Sequence, residues 1–370
     1  MRCMETESRR IIVYLPALTG GGAERVMLNL AHGFISAGCD VDLVVSSLSG
    51  PYLAEVPEGV LLHDLGTRRV SRSFWKFFHF IKARPHAVVF TTLQYANIFC
   101  LLLKIFFRIK NPVFIRESNA VSRKLRGRNL RERAFRFLIQ TLYASADGII
   151  AVSRGVKSDL TANFRIPPQN IAVIPNPVVV PAVLPEQHNC APHAWLEEGN
   201  PPVILGVGRL EAQKDFETLI EAFSQVRKRL PCRLIILGEG SRRAALMKVA
   251  QALDVSDHVD LPGFVLDPFS FMRKAGVFVL SSRWEGFPNA LIQALACGCQ
   301  VVSTDCPFGP AEILEEGKYG ALVRVGEPQE MAERIAEILN GHLLMNEGVD
   351  WHARYAEDSI VNQYLRFFGL

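Results

Sequence analysis

One stretch of the chain predicts the fold class: VFVLSSRWEGFPNALIQALACG, residues 277–298. Its first four residues form an apolar run with the composition of a buried strand. A polar loop follows, and then come two helix signals, Pro288 near the first helical position and Gly298 where a helix ends. A strand that leads through a loop into a helix is the repeating unit of a parallel sheet covered by helices.

The same alternation continues on both sides of this stretch. Strands are predicted at residues 11–15, 41–46, 87–91, 113–116, 148–152, 171–174, 203–207, 233–237, 259–261, 277–280 and 300–303. Helices are predicted at residues 24–37, 215–229, 241–253, 287–297 and 327–340. Strands that are apolar throughout are typical of parallel sheets buried on both faces. The chain is therefore predicted to be α/β.

Residues 178–200 break the alternation, because several Pro and Gly residues occur there without periodicity. This segment is predicted to be a linker, and 370 residues suit two domains with separate cores. We predict two doubly wound, Rossmann-like domains, residues 1–180 and 181–354, that face an interdomain cleft. Ligands of such folds bind at the carboxyl ends of the strands, so the cleft is the expected site.

Composition excludes several classes of protein. A hydrophobic fraction of 49% excludes a disordered chain, and no apolar run is long enough to span a membrane. The eight Cys residues are scattered, and the spacing of Cys297, Cys299 and Cys306 fits no common zinc site. Because no signal peptide is recognisable, we expect a cytoplasmic protein with reduced thiols.

The net charge of +4 hides an asymmetry between the two halves of the chain. Residues 1–180 carry 24 Lys and Arg against 12 Asp and Glu, whereas residues 181–370 carry 17 against 25. Basic and aromatic residues together suit an anionic membrane surface. A solvated helix face and a nucleic acid are the alternatives, but no nucleic-acid motif accompanies the charge. The basic residues concerned are Arg68, Arg69, Arg72, Lys76 and Lys82, which surround several Phe residues and Trp75, and Arg123, Lys124, Arg126, Arg128, Arg131, Arg133 and Arg136.

A Gly-rich loop follows the first predicted strand. It is TGGGAER, residues 19–25, in which Gly21 and Gly22 would let an anion approach the backbone at the N-terminus of a helix. A simple turn before a buried helix is equally compatible with this pattern.

Two loops in the second half carry further candidate ligand-binding residues. Arg209 and Lys214 lie between a strand and a helix, where two cations suit a diphosphate unless the loop is merely solvated. Glu285, in the loop of the opening stretch, would accept hydrogen bonds from hydroxyl groups of a ligand, or would simply face water.

Together these loops resemble the retaining glycosyltransferases of family 4, which have the GT-B fold. The resemblance covers nearly the whole chain, and it implies that residues 355–370 cross back onto the N-terminal domain. Two motifs, GGAERV at 21–26 and DCPFGPAE at 305–312, resemble the bacterial members that build O-antigen, capsule or lipid-linked glycans. The other matching motifs are Pro175-Asn-Pro177, Gly238-Glu-Gly240, Pro262-Gly-Phe264 and Glu285-Gly-Phe-Pro-Asn289.

The resemblance assigns a role to each matching residue. Gly21 and Gly22 meet the donor diphosphate and the acceptor, Arg209 and Lys214 form a cationic clamp on the diphosphate, and Glu285 binds the hydroxyl groups of the donor sugar. The remaining donor-binding residues are Gly286, Phe287, Pro288 and Asn289 beside the sugar and phosphate, and Gly238 and Phe264 around the nucleoside.

Two positions depart from the family pattern. The second acid of the E-x7-E motif is replaced by Gln293, which still accepts a hydrogen bond from the ribose but without charge assistance. We expect weaker or altered nucleoside binding, not lost chemistry. The family's His near the reacting sugar has no counterpart in residues 116–119. Glu117 and Asn119 are the candidates for that pocket, unless Arg116 pairs with Glu117 instead.

The resemblance implies retention of the anomeric configuration, with the donor phosphate taking the proton of the acceptor hydroxyl. No protein base, cofactor or essential metal is then expected. The Asp40-Val-Asp42 string resembles a metal motif of other glycosyltransferases, but it precedes an apolar strand and is predicted to cap the start of that strand. The expected catalytic residues are Glu285, Arg209, Lys214, Glu117 and Asn119.

The predicted function is transfer of a hexose or N-acetylhexosamine from a UDP-sugar to a lipid-linked saccharide carried on polyprenyl diphosphate. The enzyme is expected to bind peripherally to the inner face of the cell membrane. A GDP-mannose-dependent mannosyltransferase of the same fold is the alternative. A sugar-nucleotide 2-epimerase of similar fold and a non-catalytic partner subunit also remain open.

Overall fold

The computed structural model describes residues 9–67, 70–125, 129–178, 192–342 and 349–370. The chain divides into two compact units, unit 1 with Met1–Pro177 and Tyr355–Leu370, and unit 2 with Val178–Arg354. Most of the predicted linker, residues 179–191, lies outside the described residues, and the part that follows contains a 3-10 helix at Ala194–Leu196.

Unit 1 is a parallel sheet with helices against it. Among its described strands the order in the sheet is β3-β2-β1-β4-β5-β6-β7. The strands are β1 Arg10–Leu15, β2 Asp40–Val45, β3 Leu61–Asp64, β4 Val88–Thr92, β5 Val113–Glu117, β6 Gly148–Ala151 and β7 Ile171–Val173. The helices are α1 Gly22–Ser36, α2 Phe74–Lys82, α3 Gln94–Phe107, α4 Val121–Lys124, α5 Leu130–Leu142 and α6 Arg154–Phe164.

Unit 2 repeats the same architecture, with the strand order β10-β9-β8-β11-β12-β13 among its described residues. Its strands are β8 Val203–Val207, β9 Arg233–Leu237, β10 Val259–Gly263, β11 Val277–Leu280, β12 Val301–Thr304 and β13 Ala321–Val323. Its helices are α7 Phe216–Arg227, α8 Arg243–Ala252, α9 Phe269–Lys274, α10 Asn289–Ala296, α11 Pro310–Ile313, α12 Pro328–Leu339 and α13 Trp351–Arg354.

Burial explains why the strand sequences are apolar. In the first strand, β1, the residues from Ile11 to Leu15 are all fully buried, because β1 pairs with β2 on one side and β4 on the other and both of its faces are covered. The central strand of unit 2, β8, is buried in the same way from Val203 to Gly206. These patterns confirm the prediction of two doubly wound α/β sheets.

Every predicted strand and helix is present to within two residues at each end, but the strands β3 and β13 were not predicted, nor were the ranges of several helices, among them α2 to α6. Each of these strands lies at one edge of its sheet. Leu61 and Leu62 of β3 are exposed, and β13 has three residues. Short edge strands have too little buried surface to produce a long apolar run, which is the signal used to find the others.

The interpretation of Asp40 and Asp42 as a cap before a strand was wrong. Both residues belong to β2, and Asp42 is completely buried. Its carboxylate lies 3.2 Å from the guanidinium nitrogens of both Arg10 and Arg84, and 2.7 Å from Nε2 of His63. A buried carboxylate is stable only with such partners, so Asp42 belongs to an internal ion cluster.

The C-terminal helix, α14 (Glu357–Phe368), completes the core of unit 1. The ring of Phe368 lies 5.2 Å from that of Phe90 in β4, and the ring of Tyr364 lies 6.3 Å from that of Phe34 in α1. A Cβ at Gly33 would come within 2.3 Å of the Val361 side chain. The two helices therefore approach closely where α1 has no side chain.

Candidate active site

Most of the predicted donor-binding residues lie in or next to four loops at the carboxyl edge of the unit 2 sheet; of the others, Phe264 follows β10, and Gly21 and Gly22 lie in unit 1. These four loops follow β8, β9, β11 and β12, which lie side by side in the sheet in the order β9-β8-β11-β12. Backbone hydrogen bonds join them in pairs: Leu210 N donates to Glu239 O at 2.9 Å, and Glu285 N donates to Pro307 O at 3.1 Å. The edge at which ligands of this fold class bind is thus a connected set of loops.

Lys214 and Glu285 form the centre of this set. Nζ of Lys214 lies 2.6 Å from Oε1 of Glu285, and the hydroxyl of Ser282 donates to the same oxygen at 2.6 Å. Glu285 and Ser282 are buried, and Lys214 is half-buried. The structure therefore brings together the predicted diphosphate cation and the predicted sugar-binding carboxylate as a hydrogen-bonded ion pair.

The loop that carries Lys214 is fixed to the loop that carries Glu285. The Ser281 hydroxyl donates to Lys214 O at 2.7 Å, and the Gln213 side chain donates to Trp284 O at 2.9 Å. These bonds set the positions of Lys214 and Glu285 through the backbone, in addition to their ion pair.

Arg283 is a second fixed cation that sequence analysis missed. Its guanidinium donates to the buried carboxylate of Asp215 at 2.9 Å, and this hydrogen bond raises the pKa of Arg283. Arg209, the predicted partner of Lys214 in the clamp, is exposed. An arginine side chain has many rotamers, so an exposed Arg209 remains adjustable whereas Lys214 is held in place.

Glycines allow the loop backbones to approach each other around the predicted nucleoside pocket. Gly238 has φ of +134°, and a Cβ on it would lie 2.0 Å from the carbonyl oxygen of Gly208. A Cβ on Gly309 would lie 2.6 Å from Cδ of Pro288. Any side chain at Gly238 would displace the backbone of the Arg209 loop. Phe264, the other predicted residue of this pocket, is exposed.

The remaining residues of the motif are distributed along the start of α10. Gly286, Phe287 and Pro288 are buried before the helix, Asn289 is its first residue, and Gln293 lies one turn further on and is half-buried. The thiol of Cys306 adjoins this group. Burial raises the pKa of Cys306 to about 12, and the nearby Glu285 charge acts in the same direction, so this thiol stays protonated.

In unit 1, the Gly-rich loop leads directly into α1, which begins at Gly22. Glu24 in the first turn folds back toward the loop, and its Oε1 accepts a hydrogen bond of 3.0 Å from the Thr19 hydroxyl. A Cβ at Gly21 would lie 2.3 Å from the other carboxylate oxygen. A carboxylate therefore occupies the favourable end of the helix dipole, next to Gly21 and Gly22.

Arg116 and Glu117 have different partners in the structure. Glu117 is buried at the end of β5, and its Oε1 accepts hydrogen bonds from Asn97 Nδ2 at 2.9 Å and from the Tyr143 hydroxyl. Burial, reinforced by the Glu117 charge, raises the pKa of Tyr143 well above its ordinary value. The Arg116 guanidinium donates to Thr92 at 3.2 Å and to the Asn176 side chain.

Asn119 lies beyond the end of the same strand and is half-buried. Its Oδ1 accepts a hydrogen bond of 2.8 Å from the amide of Ala120. Glu117 and Asn119 thus sit at the carboxyl end of the unit 1 sheet, the edge where this fold class binds ligands.

Comparison with known proteins identifies the family. Residues 191–350 match the family described as "Glycosyl transferases group 1", and residues 20–180 match "Glycosyltransferase Family 4". The chain belongs to these glycosyltransferases. Each half of the glycosyltransferase is thus matched separately, and the two matches together include all four loops of unit 2 and the Gly-rich loop of unit 1.

Individual relatives extend over most of the glycosyltransferase. A Campylobacter jejuni enzyme named N-acetylgalactosamine-N,N'-diacetylbacillosaminyl-diphospho-undecaprenol 4-alpha-N-acetylgalactosaminyltransferase is 29% identical over 90% of each chain. The solved structure of HepE from Anabaena, in complex with UDP and glucose, has a TM-score of 0.76 at 16% identity and covers 98% of this chain and 99% of its own. The lipopolysaccharide outer core galactosyltransferase WaaB has a TM-score of 0.71 at 18% identity, covering 97% and 99%. The structural matches establish the GT-B fold.

No helix in the described part of the glycosyltransferase has the length and apolarity needed to cross a membrane. Within those same residues, His, Cys, Asp and Glu side chains form no group of three or more suited to a metal ion.

Proposed function

We propose that this glycosyltransferase moves a hexose or N-acetylhexosamine from a UDP-sugar to a saccharide carried on a lipid diphosphate. The observation that carries the proposal is the Lys214–Glu285 pair at the carboxyl edge of unit 2. A nucleotide sugar presents a diphosphate directly beside a ring of hydroxyl groups, and an ammonium beside a carboxylate is complementary to both. Arg209 adds an adjustable cation from the same loop.

Two relatives support the donor and acceptor classes. The HepE structure holds UDP and glucose, and the name of the Campylobacter jejuni enzyme specifies an undecaprenyl diphosphate acceptor. UDP is therefore preferred over GDP as the nucleotide. Gln293 is proposed to accept a hydrogen bond from the ribose, and Gly238 and Phe264 to line the nucleoside pocket.

We also propose that transfer retains the anomeric configuration. The Campylobacter jejuni enzyme forms an α linkage by name, and the donor that we propose is a UDP-sugar whose sugar is in α linkage to the diphosphate. Glu285 is hydrogen-bonded to Lys214 and Ser282, so it is better suited to binding hydroxyl groups than to nucleophilic attack or proton removal. The leaving diphosphate is proposed to take the acceptor proton, with Lys214 and Arg209 supplying the positive charge that a metal supplies in other enzymes.

Unit 1 is proposed to bind the acceptor. Gly21 and Gly22 would meet its polar groups at the start of α1, and Glu117 and Asn119 would lie beside the attacking hydroxyl. The pattern of buried hydrogen bonds around Glu117 suits a carboxylate whose orientation is fixed in advance of substrate binding.

A surface of unit 1 is proposed to bind the inner face of the cell membrane. The helix α3 packs against both α2 and α5, and the three expose large apolar side chains, with Trp75 60%, Phe106 71% and Phe137 64% exposed. Exposed basic residues lie on or next to the same helices. We call this set the basic–aromatic patch: Trp75, Ile105, Phe106, Leu130 and Phe137, with Arg72, Lys82, Arg108, Lys110, Arg131 and Arg133.

Some of the predicted basic residues are not part of this patch. Arg136 is half-buried: its guanidinium donates to Leu125 O at 2.9 Å and lies over the ring of Phe164. Arg68, Arg69, Arg126 and Arg128 lie outside the described residues.

Thermal unfolding in the presence of nucleotides tests the donor class. We expect UDP and at least one UDP-hexose or UDP-N-acetylhexosamine to raise the Tm, because a ligand that binds only the folded state stabilises it by about 2.7 kcal/mol at 100 times its Kd. GDP and GDP-mannose are expected to leave the Tm unchanged. Stabilisation by GDP-mannose alone would make the mannosyltransferase alternative correct, and stabilisation by none of them would contradict the transferase proposal.

A further inference from the structure

The two residues proposed to hold the diphosphate and the sugar of the donor are bound to each other. The Lys214 and Glu285 side chains are 19% and 7% exposed, and their ion pair measures 2.6 Å. The buried hydroxyl of Ser282 donates to the same carboxylate oxygen. Because the pair is largely removed from water, a ligand that binds one of the two residues changes the electrostatic environment of the other.

A nucleoside diphosphate satisfies only one member of this pair. Its phosphates attract the Lys214 ammonium, but they also bring negative charge close to Glu285 and offer that carboxylate no hydrogen-bond donor. Like charges repel more strongly in a site of low dielectric than in water. A buried carboxylate whose cationic partner is drawn away is also poorly solvated. Both effects oppose binding of the diphosphate alone.

An intact nucleotide sugar satisfies both members. Its sugar hydroxyls donate to Glu285 while its diphosphate contacts Lys214. Its diphosphate is also esterified at both ends, so it carries less negative charge than a free nucleoside diphosphate. We propose that the Lys214–Glu285 pair makes the site select an intact nucleotide sugar over the nucleoside diphosphate that remains after transfer. This inference rests on the proposed function, and it means that the re-formed pair favours release of the product.

Calorimetric titration of the full chain with UDP, and with the UDP-sugar that raises the Tm most, tests this selection. The Glu285→Gln variant keeps the size of the side chain and removes its charge. We expect the variant to bind UDP about tenfold more tightly than the wild type, because Lys214 is no longer shared. The preference for the UDP-sugar over UDP should fall by at least about the same factor. UDP affinity that is equal or weaker in Glu285→Gln would overturn the inference.

Two further variants test whether the change in UDP affinity depends on the Lys214–Glu285 pair. Glu337→Gln removes the charge of a half-buried carboxylate in α12 that pairs with Arg334, and it is expected to leave UDP affinity unchanged. Ser282→Ala keeps the Glu285 charge but removes one of its donors, so Glu285 depends more on Lys214 and UDP binding should weaken. Tighter UDP binding in Ser282→Ala would contradict the inference. A wild-type protein that binds neither UDP nor any UDP-sugar would overturn the proposed function and the inference together.

Discussion

Replacing Glu285 by alanine is expected to lower the rate of sugar transfer by roughly 100-fold or more, an effect of the size seen when one preorganised polar contact to a transition state is removed. The structure gives two reasons. The carboxylate proposed to bind the sugar hydroxyls is lost, and Lys214 loses the partner that holds it 2.6 Å away. The sugar and the leaving diphosphate would both be misplaced, and misplacement of reacting groups is costly even when binding persists.

A transfer assay with a radiolabelled UDP-sugar measures this effect. Glu337→Ala is the matched control: it removes a half-buried carboxylate of the same unit, paired with Arg334, and should retain wild-type activity. The Tm of each variant separates loss of transfer from loss of folding. Undiminished transfer by Glu285→Ala, with the control also active, would remove Glu285 from the sugar site.

The second large effect is expected on membrane binding. Replacing Lys110, Arg131 and Arg133 by glutamine should lower the affinity for vesicles that contain anionic phospholipid by about 100-fold. Each cation near an anionic surface contributes about 1 kcal/mol, and each 1.4 kcal/mol is tenfold in affinity. Replacing Trp75, Phe106 and Phe137 by serine should weaken binding to the same vesicles, because these exposed rings would lose their contact with the interfacial region.

Co-sedimentation with vesicles of neutral and of anionic composition measures both sets of variants. The charge-matched control replaces three exposed cations of unit 2, Lys228, Arg229 and Lys248, and is expected to bind as the wild type does. If the wild type bound neutral and anionic vesicles equally, or bound neither, the proposed docking of the basic–aromatic patch on an anionic membrane surface would be contradicted.

The sequence predicted those parts of the fold that are encoded locally. Residues 11–15 and 203–207 form buried strands because nearly all of their side chains are apolar, and no tertiary information is needed to recognise this. The edge strand at 61–64 could not be found in the same way, since Leu61 and Leu62 are exposed and the strand depends on pairing with β2. Asp42 was misinterpreted because its partners Arg10, His63 and Arg84 are distant in sequence.

The candidate site was predictable to a similar extent. The positions of Lys214 and Glu285 in loops after strands followed from the pattern of strands and glycines, but 71 residues separate them, and their ion pair appears only when β8 and β11 lie side by side. Cys306 lies near Glu285 for the same reason, because it follows β12, which pairs with β11. Arg283 was overlooked because its partner, Asp215, belongs to the other loop. Contacts between loops depend on strand order, which the sequence pattern alone does not specify.

The most direct test of the proposed function is transfer itself. Purified protein would be incubated with vesicles that contain a polyprenyl-diphosphate-linked saccharide and, in separate reactions, with labelled UDP-hexoses, UDP-N-acetylhexosamines and GDP-mannose, each with and without EDTA. We expect label from a UDP-sugar to enter the lipid fraction in α linkage, at a rate that EDTA does not change. The proposed function would be contradicted by label that enters only from GDP-mannose, by a β-linked product, or by conversion of the UDP-sugar without any labelled lipid.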